Sequence, residues 1–165
     1  MSTTMLSRRR RRSSGGFSLI ELLIAISIIL IILSIAVPKM NTVQMNAHEM
    51  AALRQIQTIQ NGQTQYQSQF GRFATSLTEL GPPASGAAGP AASNIIPENL
   101  SKGTNSGYNF VMQGGPSGYI INANPVTYNS SGRRSFFSDE SYVIRENWGP
   151  EPATVQSKEI GSVSK

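Results

Sequence analysis

Residues 17–37 read FSLIELLIAISIILIILSIAV, from Phe17 to Val37, directly after Gly15-Gly16. Twenty-one residues rising about 1.5 Å each give roughly 31 Å of helix, the thickness of a bilayer core. Only Ser18, Glu21, Ser27 and Ser34 interrupt the apolar run. An unpaired carboxylate in lipid costs on the order of 3 kcal/mol or more, so Glu21 needs a partner.

Upstream of this stretch lie Arg8, Arg9, Arg10, Arg11 and Arg12, then Ser13-Ser14-Gly15-Gly16. The formal net charge is +5, and these five arginines supply all of it: beyond Gly16, nine basic side chains face nine acidic ones. A basic run beside a span holds its flank in the cytoplasm and places the remainder outside. The arm has no interleaved aromatic residues and abuts an apolar segment, so nucleic-acid binding is not expected. An ordinary secretory signal carries its small-residue cleavage site after the apolar region. Here the small residues come before it. The 165 residues include no cysteine, which excludes disulfides, thiol nucleophiles and Cys-based zinc sites.

The segment GGFSLIELLI, with Phe directly after Gly16 and Glu at the fifth position counted from Phe17, resembles the prepilin cleavage and methylation motif of type IV pilins and type II secretion pseudopilins. The resemblance covers about Gly16 to Pro38. It implies that a membrane-embedded prepilin peptidase cuts between Gly16 and Phe17 and N-methylates Phe17. It also implies that Glu21 serves assembly, by pairing with the terminal amine of a neighbouring subunit. Glycine offers a side-chain-free backbone that a protease can grip in extended form. Glu21 lies one helical turn from the amine that the cut creates, so it can also approach its own terminus. The bland alternative is that Glu21 snorkels to the interface near a helix end. Ser27 and Ser34, seven apart, share a face and offer either a close-approach strip or a coincidence of spacing. Pro38 lacks an N–H and clashes with the preceding turn, so a helix kink is expected there. Family members often carry a mid-span glycine where this chain has Leu30-Ile31-Ile32-Leu33.

Beyond Pro38, Val43, Ala47, Met50, Leu53, Ile56, Ile59, Tyr66 and Phe70 recur at three- and four-residue steps, with one gap at Gln63. This predicts an amphipathic continuation of one long helix, from about Ser18 to Gln69. Asn41, Gln44, Asn46, Gln55, Gln57, Gln60 and Gln65 are expected on the opposite face. Gly62 weakens the helix by about 1 kcal/mol relative to Ala. His48, the single histidine, reads as a surface residue. Residues 71–107 form a connection in which SLTEL before Gly81-Pro82-Pro83 predicts a short helical turn. Ser85 to Ser93, rich in Gly, Ala, Pro and Ser, predicts a flexible loop, with Ile95-Ile96 and Leu100 pinning the connection to the core.

The strand signals are Tyr108 to Met112, Gly118 to Pro125, Arg134 to Ser138 and Tyr142 to Arg145, separated by turn residues. The expected fold class is α+β: a long N-terminal helix, apolar then amphipathic, packed on a three- to four-stranded antiparallel sheet, pilin-like. The expected organisation is a basic leader over 1–16, a membrane and assembly helix over 17–38 and its amphipathic continuation over 39–70. The connection over 71–107, the sheet over 108–146 and a loosely held polar tail over 147–165 complete it.

No catalytic constellation emerges: a Ser-His-Asp triad would need His48 and Asp139, with no nucleophile motif to recommend a serine. No enzyme activity, cofactor or metal is expected. Calcium needs six to eight oxygens. Asp139, Glu140 and Glu146 are the only clustered acids, and Arg133, Arg134 and Arg145 lie among them, so cross-strand ion pairs are the expected use. The resemblance implies a homo-oligomeric filament subunit. Its partners would be prepilin peptidase, an inner-membrane assembly machinery for a pilus or a secretion system, and membrane lipid. Before assembly the chain would be a single-pass inner-membrane protein with a cytoplasmic N-terminus. Afterwards it would lie in an extracellular pilus or a periplasmic pseudopilus. Three readings stand: a type IV pilin, a type II secretion pseudopilin, and a single-span binding protein that does not polymerise.

Overall fold

A computed structural model describes residues 16–161, the side chains of 36–39 excepted. Leader residues 1–15 and the last four residues of the expected tail lie outside that range. The elements run α1 (Leu19–Phe70), α2 (Leu77–Leu80), α3 (Glu98–Ser101), β1 (Thr104–Asn105), β2 (Tyr108–Gly114), β3 (Tyr119–Pro125), β4 (Arg134–Asp139), β5 (Ile144–Trp148) and β6 (Lys158–Glu159). The chain divides into two compact units between Lys39 and Met40.

The first unit is the apolar half of α1. From Phe17 to Ile35 its large side chains are exposed. The Ser27 hydroxyl donates to the Leu23 carbonyl and the Ser34 hydroxyl to the Ile31 carbonyl, each at 2.7 Å. Both hydroxyls are thus satisfied within the helix, as an apolar solvent requires. α1 continues through Pro38 to Phe70 as one helix of 52 residues.

The second unit is the head. Its α+β class is as the residue pattern implies, but the antiparallel sheet has six strands in the sequential order β1 to β6 rather than three or four. The four long strands lie where they are expected, except that β5 starts at Ile144 rather than Tyr142, which sits in the preceding turn with φ 66°. The two additions, β1 and β6, are two residues each and too short for alternation to reveal. In β2 the register runs from Tyr108 opposite Pro125 to Gly114 opposite Tyr119, and the Gly115 N–H donates to the Gly118 carbonyl at 2.8 Å to close the hairpin. Alternation along β2 sends Tyr108, Phe110 and Met112 into the core. There they meet Ala52, Ile56, Ile59 and Tyr66 of α1, with Ile96 and Leu100 from the connection, as expected.

The helix face differs from the expected one in its first turns. Val43, Ala47 and Met50 are exposed, whereas Met45, Glu49 and Ala52 are buried. Reading apolar residues alone missed the true stripe because a carboxylate sits inside it. The same holds further along. Gln63 is fully buried rather than a gap, with Nε2 donating to the Ala74 carbonyl at 2.9 Å and Oε1 accepting from the Ala74 N–H at 2.8 Å. Gln60, expected on the polar face, is buried and donates to Ser138 Oγ at 2.7 Å. His48 is half-buried, its Nδ1 3.0 Å from the Ser131 carbonyl, and so it joins the helix to the β3–β4 connection rather than facing water. Residues 74–75 are wedged between α1 and the end of β2. A Cβ on Gly114 would stand 1.9 Å from the Ala74 carbonyl oxygen, so only glycine fits.

Two expectations of looseness are corrected. Ser85 to Ser93 includes a Gly89–Ala92 bridge, and Tyr66 donates to the Pro90 carbonyl at 2.6 Å. The tail is strapped across the sheet. Ser135 and Asn147 donate to the Glu151 carbonyl at 2.8 and 2.9 Å, and Asn122 donates to that of Ala153 at 3.1 Å. Ala153 is buried and β6 pairs with β5. Polar composition hid this because the hydrogen bonds use tail backbone carbonyls, which every sequence has.

Candidate functional site

The N-terminal edge of α1 is built by its own residues. Gly16, Phe17 and Ser18 precede the first helical turn in non-helical backbone, and Phe17 is 83% exposed. Ser18-Leu19-Ile20-Glu21 has the S-x-x-E spacing of a capping box. The Glu21 carboxylate reaches back to accept from the Ser18 N–H at 2.9 Å, satisfying a donor that the helix leaves unpaired. This use of Glu21 was legible in the spacing, yet a reading of Ser18 as a polar interruption passes over it. A carboxylate offers about four lone-pair sites, so one bond leaves acceptor capacity. Beyond this edge α1 is long and apolar enough to cross a membrane by length and composition.

Comparison with family models decides what this edge is similar to. Residues 11–37 match the prokaryotic N-terminal methylation motif. It is the signature of type IV pilins and pseudopilins, a structural class, and it implies processing by prepilin peptidase and a membrane-anchored precursor. The methylation motif ends at Val37, so it covers the apolar half of α1 and none of the head. No curated protein and no solved structure matches the chain significantly. Of the residues singled out from the sequence, Gly16, Phe17 and Glu21 lie together at the start of the methylation motif's helix. Pro38 lies one residue beyond the matched segment.

Two acids of the cluster in the head, Glu146 and Asp139, are spent on pairing and a turn. Glu146 Oε2 accepts from Arg134 Nη1 at 2.8 Å across β4 and β5, the expected cross-strand pair. The second partner of Arg134 was not foreseen: Glu49 of α1 binds its Nε at 2.8 Å and the Arg133 N–H at 2.8 Å. Arg145 pairs with Glu159 of β6 at 3.0 Å. Asp139 makes no cross-strand pair and instead accepts from the Ser141 N–H and hydroxyl in the β4–β5 turn. Among the described residues no three His, Asp or Glu side chains converge to hold a metal.

A further carboxylate organises the connection. Glu79 accepts from Arg72 Nη1 at 2.9 Å, from the Thr75 N–H at 3.0 Å and hydroxyl at 2.9 Å, and lies 3.1 Å from the Tyr66 hydroxyl. Partial burial opposes its charge, but these donors outweigh it and hold its pKa at about 2.

Proposed function

We propose that this chain is a structural subunit of a type IV pilus. It is inserted in the inner membrane with a cytoplasmic N-terminus, cut between Gly16 and Phe17 by prepilin peptidase, methylated at Phe17 and polymerised through its N-terminal helix. The observation that carries this reading is the methylation motif sitting on a helix whose apolar half is unburied and whose second half anchors an α+β head. A plain membrane anchor has no need for Gly16-Phe17 and Glu21 at these spacings. Cleavage creates an amine next to the Ser18 N–H that Glu21 already accepts. The carboxylate is therefore held where a second donor, from the same chain or a neighbouring copy, can reach it. Pairing removes two charges from lipid at once and fixes axial register. The missing N–H of Pro38 gives α1 a place to bend.

The engagement of Asp139 and Glu146 with other partners favours a pilin over a calcium-dependent pseudopilin. Filament contacts rather than catalysis would then be the work of the chain. The intact mass of the protein extracted from cells tests the processing: the expected chain starts at N-methylated Phe17, and one starting at Met1 or cut after Ala36 overturns the reading. Electron microscopy of producing cells separates the two polymers. Long surface filaments containing this chain are expected; a subunit confined to the envelope and required for protein export would make it a pseudopilin.

A further inference from the structure

Over its first turns in the head, α1 buries one side and leaves a second, apolar side in the open. The buried side carries Met45, Glu49 and Ala52. The far side carries Met40, Val43, Ala47 and Met50, at steps of three and four residues that bring them onto one stripe of the helix. Met40 is 59% exposed, Val43 66% and Met50 52%, and Ala47 is exposed as well. The stripe ends abruptly. Arg54, Asn61, Gln65 and Ser68 continue the same line toward Phe70, and all are exposed and polar. A helix side that faces water is expected to be polar along its whole length. Here it is polar from Arg54 onward only, so the turns before it are built to be covered.

The stripe fits another helix of the same kind. Its three-and-four spacing is that of helices packed side by side. Exposed Gln44 and Asn46 flank it. Four side chains on one narrow ridge fall far short of the about 20–30 residues a side that a stable complex of globular partners uses. The stripe therefore adds to a larger contact rather than making one alone, and the chain exposes a further apolar surface from Phe17 to Ile35. Charge points the same way. Identical copies present identical charges to one another, and like charges at close range repel. No exposed side chain of α1 from Met40 to Met50 is charged; the carboxylate of those turns, Glu49, is buried against Arg134. Arg54 is the first exposed charge, and it stands where the stripe stops. A helix lying on lipid headgroups carries Lys and Arg along its polar face. Asn41, Thr42, Gln44 and Asn46 take those places here.

We propose that Met40, Val43, Ala47 and Met50 pack against α1 of a second copy of the chain. The contact between copies then runs into the head as far as Met50 and stops at Arg54. The proposal rests on the filament reading and deepens it, by giving the head's own stretch of α1 a face for assembly and a limit to that face.

Photo-crosslinking of the full chain in producing cells tests this. The photo-reactive amino acid p-benzoylphenylalanine replaces, one position at a time, Val43 or Ala47 in the stripe, Asn61 or Gln65 beyond Arg54, and Leu30 in the apolar stretch. The expected result is a covalent dimer of the chain from positions 43 and 47, with the second copy attached through its α1, and none from 61 and 65. Val43→Glu puts a like charge on the stripe at an exposed position. It should abolish the dimer from position 47 and leave the melting temperature of the head unchanged. A dimer from position 30 with only monomer from 43 and 47 would refute the stripe and leave the filament reading standing. No dimer from any position would refute both. Adducts of positions 43 and 47 with lipid or with another protein overturn the proposal, as do dimers from 61 and 65 as abundant as those from the stripe.

Discussion

At the residue scale the head is held by polar side chains that a hydropathy pattern discards. Gln63 meets both backbone groups of Ala74 within the core, and each buried group left unpaired would cost about 1–3 kcal/mol. Glu79 gathers Arg72, Thr75 and Tyr66 around one carboxylate. Its pKa falls from 4.5 to about 2 on folding, so the stability it contributes is fully present above about pH 4.5. That contribution is lost as pH falls through the folded value near 2. Glu79→Gln should therefore lower the melting temperature at pH 7 and flatten its fall between pH 4.5 and 2. Thermal unfolding of both proteins across that range checks the effect; parallel pH profiles would contradict it.

At the element scale, α1 joins the sheet through charge as well as apolar packing. Glu49 is the buried half of a Glu49–Arg134–Glu146 triad and also caps the Arg133 N–H. Removing one partner of such a buried arrangement costs about 3–5 kcal/mol. Glu49→Ala should therefore destabilise the head by about 3 kcal/mol in denaturant titrations, well beyond the exposed Val43→Ala on the same helix. Equal effects would refute the triad's role. The four long strands, the SLTEL turn and the long helix were legible because each is a local pattern of side chains. The helix face was legible at Leu53, Ile56, Ile59 and Tyr66, where apolar residues mark it, and illegible at Met45, Glu49, Ala52, Gln60 and Gln63, where buried polar side chains break the apolar rhythm. Glu49 acquires its partner 85 residues away, and no spacing announces that. At the N-terminal edge the motif itself was plain, and the capping role of Glu21 could have been read from Ser18 three residues before it.

At the scale of the whole molecule, every buried residue of the head core among the described residues lies between Met45 and Ala153. Residues 40–165 expressed without the apolar half of α1 should fold alone and unfold in a single cooperative transition. Near-ultraviolet circular dichroism and denaturant titration would reveal the alternative, a chain without fixed packing. The division of labour is also a division of legibility. The apolar half of α1 lies within the matched methylation motif, while the head is specified by backbone carbonyls and long-range pairs.

β4 runs through the middle of the head with Ser135, Phe136, Phe137 and Ser138 all buried, since α1 packs toward one side and the strapped tail crosses the other. A strand sheltered on both faces exchanges its amide hydrogens only when something larger opens. In deuterated buffer its amides should therefore report global unfolding, while those of β6, at the sheet's edge, exchange through local fraying. Time-resolved labelling of the head would show an inner strand that keeps its protons long after the tail has lost them.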